Sequence, residues 1–257
     1  MASRFENNSV IINFSEHHLV SDTWELGQFK LYFAYIAANE EFRINRGDYV
    51  KVIEGMLSDP LRLSMVGPFE KCSTEVHEDL IKVAKASILM IVNHKDGPGL
   101  VQSSEQVRVT GPFSDFLQWV QVGNLHWGGK FQGAEFYNLR GWDIRNNEKH
   151  VAFTQAWLAG PGVNCGNHNH SEMNDNTFRE IHLCVRNGSG FGGMVWLKDR
   201  EELTLPLLNG EEHGPFWTWS EDMTKVVYPV HRWQAGACDT GSFDFWFAIE
   251  YPPPKAA

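Results

Sequence analysis

Hydrophobic and polar positions alternate along most of this chain. The segments "KLYFAYIAA", "DYVKVIEGML", "SILMIVN", "AEFYNLRGWDI", "VAFTQAWLAG", "FREIHLCVRN", "GMVWLKD", "KVVYPVHRW" and "DFWFAIEY" are short, rich in β-branched and aromatic side chains, and bounded by Gly, Pro, Asn or Asp. A period of two between such bounds predicts strands. Turn residues recur in "NRGD", "KDGPG", "GPG", "RNGSG" and "LNG", at a spacing that suits a sandwich or barrel better than alternating strands and helices. One segment departs from the pattern. In "STEVHEDLIKVAKA" the apolar residues Val76, Leu80, Val83 and Ala84 follow i, i+4, i+7, i+8, behind Ser73 or Thr74 as N-cap and with Glu75 and Glu78 in the first turn. A helix is expected there. Residues 94–115 read as loop, and a boundary between two halves is expected between that loop and residue 140. "YPPPKAA" reads as a tail, since proline cannot donate to a sheet ladder. The class is all-β with one or two short helices.

Composition narrows the partner. With 257 residues and 42% apolar side chains, the chain has ample material for a core. Its net charge of -10 arises from 32 acidic and 22 basic residues, without a Lys/Arg cluster, which argues against nucleic acid and anionic membrane and for a small molecule. Cys72, Cys165, Cys184 and Cys238 lie far apart with no C-x-x-C pair, so neither a zinc knuckle nor a disulfide framework is expected. The N-terminus has no signal-peptide pattern and no apolar run reaches the roughly 20 residues of a membrane span; a cytoplasmic location is expected. Ten tryptophans are more than a core alone usually needs. Those in the C-terminal half, such as Trp127, Trp142, Trp157, Trp217, Trp219, Trp233 and Trp246, serve either sandwich packing or a ligand pocket.

Candidate chemistry concentrates in "GVNCGNHNHSEMNDNTFREIHLCVRNGSG", residues 162–190. On a strand, His168 and His170 point to one face. Glu180, His182 and Cys184 likewise share a face of "TFREIHLCVRNG". If that face is interior, buried polar groups need a metal or a dense hydrogen-bond network. His231, in "VVYPVHRWQAG", adds a further imidazole. An H-x-H pair alone is usually incidental, but the joint set of imidazoles and carboxylate suits Zn, Fe(II), Mn, Co or Ni.

These residues resemble the cupin superfamily. Its first motif is matched by Gly162, the five residues "VNCGN", His168, Asn169 and His170. The second half departs: nine residues separate His170 from Glu180, and seven separate Glu180 from Gly188, each a longer spacing than the motif has. The resemblance implies one divalent metal held by His168, His170, Glu180 and His231, with His231 two residues after Pro229 standing for the family's second motif. His182 competes with Glu180 as third ligand, while Glu172 and Asp175 are placed on the loop. It also implies a double-stranded β-helix, a jelly-roll barrel, over residues 140–257. Residues 1–139 form a β-rich region in which "RINRGDYVKVIEGML" is similar to a strand pair of a second barrel that lost its ligands, as in a bicupin. Pairing into a homodimer through sheet edges is a further implication. Within the superfamily, the long first loop and aromatic-rich barrel resemble the cupin part of fungal aldos-2-ulose dehydratase/isomerase, a sugar-modifying lyase.

Such a site works in one of two ways. With Zn it is a Lewis acid for dehydration, isomerisation or cyclisation of a hydroxy-ketone, such as a sugar-derived ketone or secondary-metabolite intermediate; with Fe(II) it is a dioxygenase. A non-catalytic ligand-binding cupin is the third reading. For the lyase or isomerase, His182 is the candidate acid/base and Tyr228 the second. Cys184 is expected to be a core cysteine. His17, His18, His77, His94, His126, His150 and His213 are expected to be solvated.

Overall fold

A computed structural model describes residues 9–15, 20–26, 29–44, 48–59, 64–66, 68, 80–94, 127–131, 134–159, 167, 179–186, 193–198, 201–207, 211–213, 217–223, 225–236 and 244–252. Among the described residues there are eighteen strands and no helix: β1 (Val10–Phe14), β2 (Trp24–Leu26), β3 (Phe29–Ile36), β4 (Glu41–Arg43), β5 (Tyr49–Asp59), β6 (Ser64–Val66), β7 (Leu80–His94), β8 (Trp127–Phe131), β9 (Ala134–Asn146), β10 (Lys149–Ala159), β11 (Arg179–Arg186), β12 (Gly193–Lys198), β13 (Glu201–Pro206), β14 (Glu211–Glu212), β15 (Thr218–Trp219), β16 (Val226–Val227), β17 (His231–Gln234) and β18 (Asp244–Tyr251). No helix of the described residues is long and apolar enough to cross a membrane.

A seven-stranded sheet runs β1-β9-β10-β18-β11-β14, with β8 beside β9. A six-stranded sheet runs β2-β3-β7-β5-β6, with β4 beside β7. A three-stranded sheet, β13-β12-β17, and the pair β15-β16 complete the set. Neighbours are antiparallel except β1, which lies parallel to β9 with Val10 opposite Trp142. The chain's first described strand therefore joins a sheet otherwise built from residue 127 onward.

The two large sheets share a core. Phe29, Leu31, Phe33, Ile88, Met90 and Val92 of the six-stranded sheet pack with Trp142, Ile144, Ile181, Leu183, Phe245 and Phe247 of the seven-stranded one. This core takes residues from both sides of position 139. The opposite face of the six-stranded sheet gathers a second core of Ala34, Val50, Val52, Leu89 and Ile91. Ile88 to Val92 are all fully buried, because β7 has a core on each face, which is why "SILMIVN" is a continuous apolar run rather than an alternating one.

The helix expected across 73–86 is corrected by this topology. Leu80 to Ala86 open β7, while 73–79 lie outside the described residues. Leu80, Ile81 and Lys82 pair with Arg43, Phe42 and Glu41, and Val83 and Lys85 pair with β5. Strand pairing on both sides, continuous with the buried run that follows, outweighs the local helical spacing. The segment "KVVYPVHRW" also differs from expectation: it is two strands, β16 and β17, interrupted around Pro229, whose missing N–H cannot join a ladder.

Candidate functional site

β11 is buried on both faces, and its alternation sorts its side chains into two environments. Ile181, Leu183 and Val185 enter the core between the large sheets. Glu180, His182 and Cys184 lie on the other face. There Cys184 packs with Trp233, Trp246, Leu207 and Ala235, backed by Trp157 and Trp196. The four tryptophans come from β10, β12, β17 and β18, and Leu207 and Ala235 directly follow β13 and β17, so this face looks into a barrel interior between the seven-stranded and three-stranded sheets.

On β18, Glu250 stands opposite Glu180, Ala248 opposite His182 and Trp246 opposite Cys184. The small Ala248 leaves space beside the imidazole, whose ring stands edge-on to Trp246 at 6.4 Å and 88°. Two carboxylates directly across a strand pair repel unless something holds them. Gln155 Nε2 donates to Glu250 Oε1 at 2.9 Å, which fixes one of them.

Hydrogen bonds link the remaining polar groups. The backbone N–H of Glu180 donates to the Tyr228 hydroxyl at 2.7 Å. Burial above all, and then the Glu180 carboxylate, hold the Tyr228 phenol far above its ordinary range, so it stays protonated at physiological pH. The Tyr228 and His231 rings lie 5.7 Å apart. His231 Nδ1 is 2.8 Å from the carbonyl oxygen of Pro229. A carbonyl only accepts, so Nδ1 carries the proton and the neutral ring keeps its lone pair on Nε2. That is the arrangement in which a histidine presents Nε2 to a metal. His182 Nε2 lies 3.6 Å from Glu180 Oε1, beyond hydrogen-bond reach but close enough for both to face one cation.

Four of the expected site residues, Glu180, His182, Tyr228 and His231, are therefore buried and strung along one set of contacts. His168 and His170 lie outside the described residues. Asn167, the residue before them, accepts a hydrogen bond from Arg232 Nη1 at 2.8 Å, and Arg232 directly follows His231. Arg232 is itself held outward by a bidentate pair with Glu202 on β13 at 2.9 and 3.0 Å. Among the described residues, no group of three or more His, Cys, Asp or Glu side chains converges as a metal site.

His213 corrects an expectation. Expected to be solvated, it is 1% exposed, and its Nε2 lies 2.9 Å from the backbone N and 2.8 Å from Nδ1 of His182. Sequence reasoning missed it because β14 is two residues long, too short for a period, and "HGPF" reads as a turn. Glu250 was missed for another reason: the signal was present in the alternation of "DFWFAIEY", but only the cross-strand register places it against Glu180. His150 is partly exposed, as expected, and pairs with Asp143 at 2.7 Å.

Comparison with known proteins fixes the family. The profile of the aldos-2-ulose dehydratase/isomerase (AUDH) cupin domain matches residues 12–252. This chain belongs to the AUDH cupin family. The all-β, double-stranded β-helix class expected from the sequence is the class found. An aldos-2-ulose dehydratase of Phanerodontia chrysosporium is 35% identical over 161 residues, which cover 52% of this chain and 17% of that protein. The chain thus spans less than a fifth of that relative's length. Among solved structures, a Bacillus subtilis oxalate decarboxylase described for its Mn(II) centres aligns over 90% of this chain and 70% of its own, at 10% identity and a TM-score of 0.31. An oxalate oxidase in complex with glycolate aligns over 41% of this chain and 44% of its own, at 10% identity and a TM-score of 0.28. Likenesses that distant say nothing of what the AUDH cupin chain binds.

Proposed function

We propose that this AUDH-family cupin is a metal-dependent enzyme, a lyase or isomerase that dehydrates, isomerises or cyclises a small oxygenated substrate such as a sugar-derived ketone. One observation carries the reading: β11 buries Glu180 and His182 on a face where apolar side chains would fill the barrel without desolvating charge. Buried polar groups lower stability unless fully partnered, and their concentration in one interior is the mark of a working site. Glu180 and His231 offer donors of the right chemistry, with His168 and His170 as the other two ligands. His182 is the competitor to Glu180. A divalent ion held there, Zn or Fe(II) before Mn, Ni or Co, supplies Lewis-acid polarisation of a substrate carbonyl or hydroxyl.

The chain's own groups do the rest. His182 moves a proton at the substrate, with Nε2 as the titrating atom. Tyr228, kept neutral, holds the start of β11 through the Glu180 amide and retains its own O–H as a donor. The tryptophans around Trp246 exclude water. Residues 140–257 carry the site in this reading, the six-stranded sheet of the N-terminal region backs it, and a homodimer through sheet edges remains the proposed assembly. The test is metal analysis of the purified chain, joined to dehydration and isomerisation assays on hydroxy-ketones with and without oxygen. A bound divalent metal and oxygen-independent turnover are expected. A strict need for iron and oxygen overturns the lyase reading, and a His168→Ala variant with unchanged metal content and activity overturns the ligand set.

A further inference from the structure

We propose that His213 is a positioning residue that locks His182 in a single tautomer, with the proton on Nδ1 and the lone pair on Nε2 facing Glu180. A backbone amide starts the chain of constraints. The N–H of His182 can only donate, and it meets Nε2 of His213 at 2.9 Å. That nitrogen is therefore an acceptor, and the proton of His213 sits on its Nδ1. The same Nε2 lies 2.8 Å from Nδ1 of His182. Two lone pairs do not approach so closely, so Nδ1 of His182 carries a proton. A neutral imidazole has one N–H, which leaves Nε2 of His182 as an acceptor, 3.6 Å from Oε1 of Glu180.

The lock acts against the intrinsic preference of a free imidazole in water, which favours the proton on Nε2. Its rigidity comes from both sides of β14. Leu183 and Cys184 pair with Glu212 and Glu211, and the backbone N–H of His213 donates to the His182 carbonyl at 3.3 Å. Glu212 reaches to the other face, where it pairs with Lys51 of β5 at 2.5 Å. Trp246, edge-on to the His182 ring, opposes a flip of the imidazole. His182 thus presents the same nitrogen as His231, whose Nδ1 is engaged by Pro229, and the Nε2–Glu180 edge becomes a paired acceptor for a cation or a donor hydrogen. The tautomer follows from protein contacts alone and does not depend on the lyase reading.

The experiment is a two-bond proton–nitrogen correlation spectrum of the full chain labelled with 15N-histidine, at about pH 8, where an ordinary imidazole is neutral. Loss of its peaks in a His182→Gln variant assigns the residue. The expected result is the Nδ1–H pattern for His182 and for His213. In His213→Leu, the His182 pattern is expected to shift to the mixture dominated by Nε2–H. In His213→Gln, whose side-chain oxygen accepts both N–H groups, it is expected to stay Nδ1–H. An Nε2–H or doubly protonated His182 in the unsubstituted chain overturns the proposal. So does an unchanged Nδ1–H pattern in a folded His213→Leu variant. Near-UV circular dichroism checks folding, and if the leucine variant does not fold, the unsubstituted chain still decides which nitrogen is protonated.

Discussion

Lys51 of β5 and Glu212 of β14 join the two large sheets through a buried ion pair, and breaking it should be costly. Lys51 is fully buried and Glu212 is 2% exposed. Lys51 lies between Tyr49 and Ile53, both core residues on the same face. Nζ stands 2.5 Å from Oε2 of Glu212, an ion-pair distance, while its directed hydrogen bond goes to the carbonyl of Pro68 at 2.9 Å. Lys51→Met keeps the stem and removes the charge, which takes the cation away from a buried carboxylate. Removing one partner of a buried pair costs about 3–5 kcal/mol. For a domain of this size that corresponds to a drop in Tm of roughly 6–20 °C. Glu212→Leu should cost a similar amount, since it removes the counter-charge of a buried ammonium and leaves it the neutral Pro68 carbonyl. The double variant Lys51→Met/Glu212→Leu should recover most of the loss, because neither charge is then desolvated. Urea denaturation followed by tryptophan fluorescence gives all four corners of the cycle. Single variants that each lose under about 1 kcal/mol, or a double variant that loses the sum of the two, would refute the reasoning.

Two further predictions follow from single side chains. Tyr228→Phe removes the acceptor of the buried Glu180 amide and should cost about 1–3 kcal/mol near neutral pH, read from the urea midpoint. The folded phenol is raised above its unfolded value, so the unfolded chain loses this proton first as pH rises. That contribution to stability is intact below about pH 10 and declines above it by about 1.4 kcal/mol per pH unit. Tyr228→Phe lacks the decline, so its deficit against the unsubstituted chain should narrow above about pH 10, and a deficit that stays constant there contradicts the burial of the phenol. Gly55 sits at φ +91° in the irregular stretch of β5, and a Cβ there would meet the Ala86 carbonyl oxygen at 2.2 Å and Ser87 Cα at 2.6 Å. Gly55→Ala should therefore lose at least about 2 kcal/mol in the same assay, and a neutral result would show that β5 and β7 do not approach as described.

What the sequence made legible was what is local. Alternation within "FREIHLCVRN" was enough to put Glu180, His182 and Cys184 on one face, because a strand's period is fixed by its backbone. The same reasoning found β5, β9, β10 and β18, and β7 from Ser87 onward. Pairing between distant segments was not legible. Nothing in "SVIINF" announces a parallel partner in "GWDIRN", and nothing near Lys51 points to Glu212, more than a hundred and fifty positions along the chain. The helical spacing of Val76, Leu80, Val83 and Ala84 was real as a local signal, but Leu80 to Ala86 had partners on two sides that only the fold supplies. His213 failed to register because it directly follows β14, a strand shorter than any period.

The double burial of β11 also explains why its register should be so firmly set. A slip of one residue would carry Glu180 and His182 into the core beside Phe245 and Phe247, and would turn Ile181 and Leu183 toward Tyr228 and His213. Each buried polar group moved into that core without a partner costs about 1–3 kcal/mol, and more if charged, while the amide of His182 would lose the His213 acceptor that now orients it. The apolar row of β11 thus acts as the address for the polar row. Leu183 and Ile181 point away from the candidate chemistry, yet their packing against the opposite sheet decides which nitrogen and which carboxylate face the barrel interior.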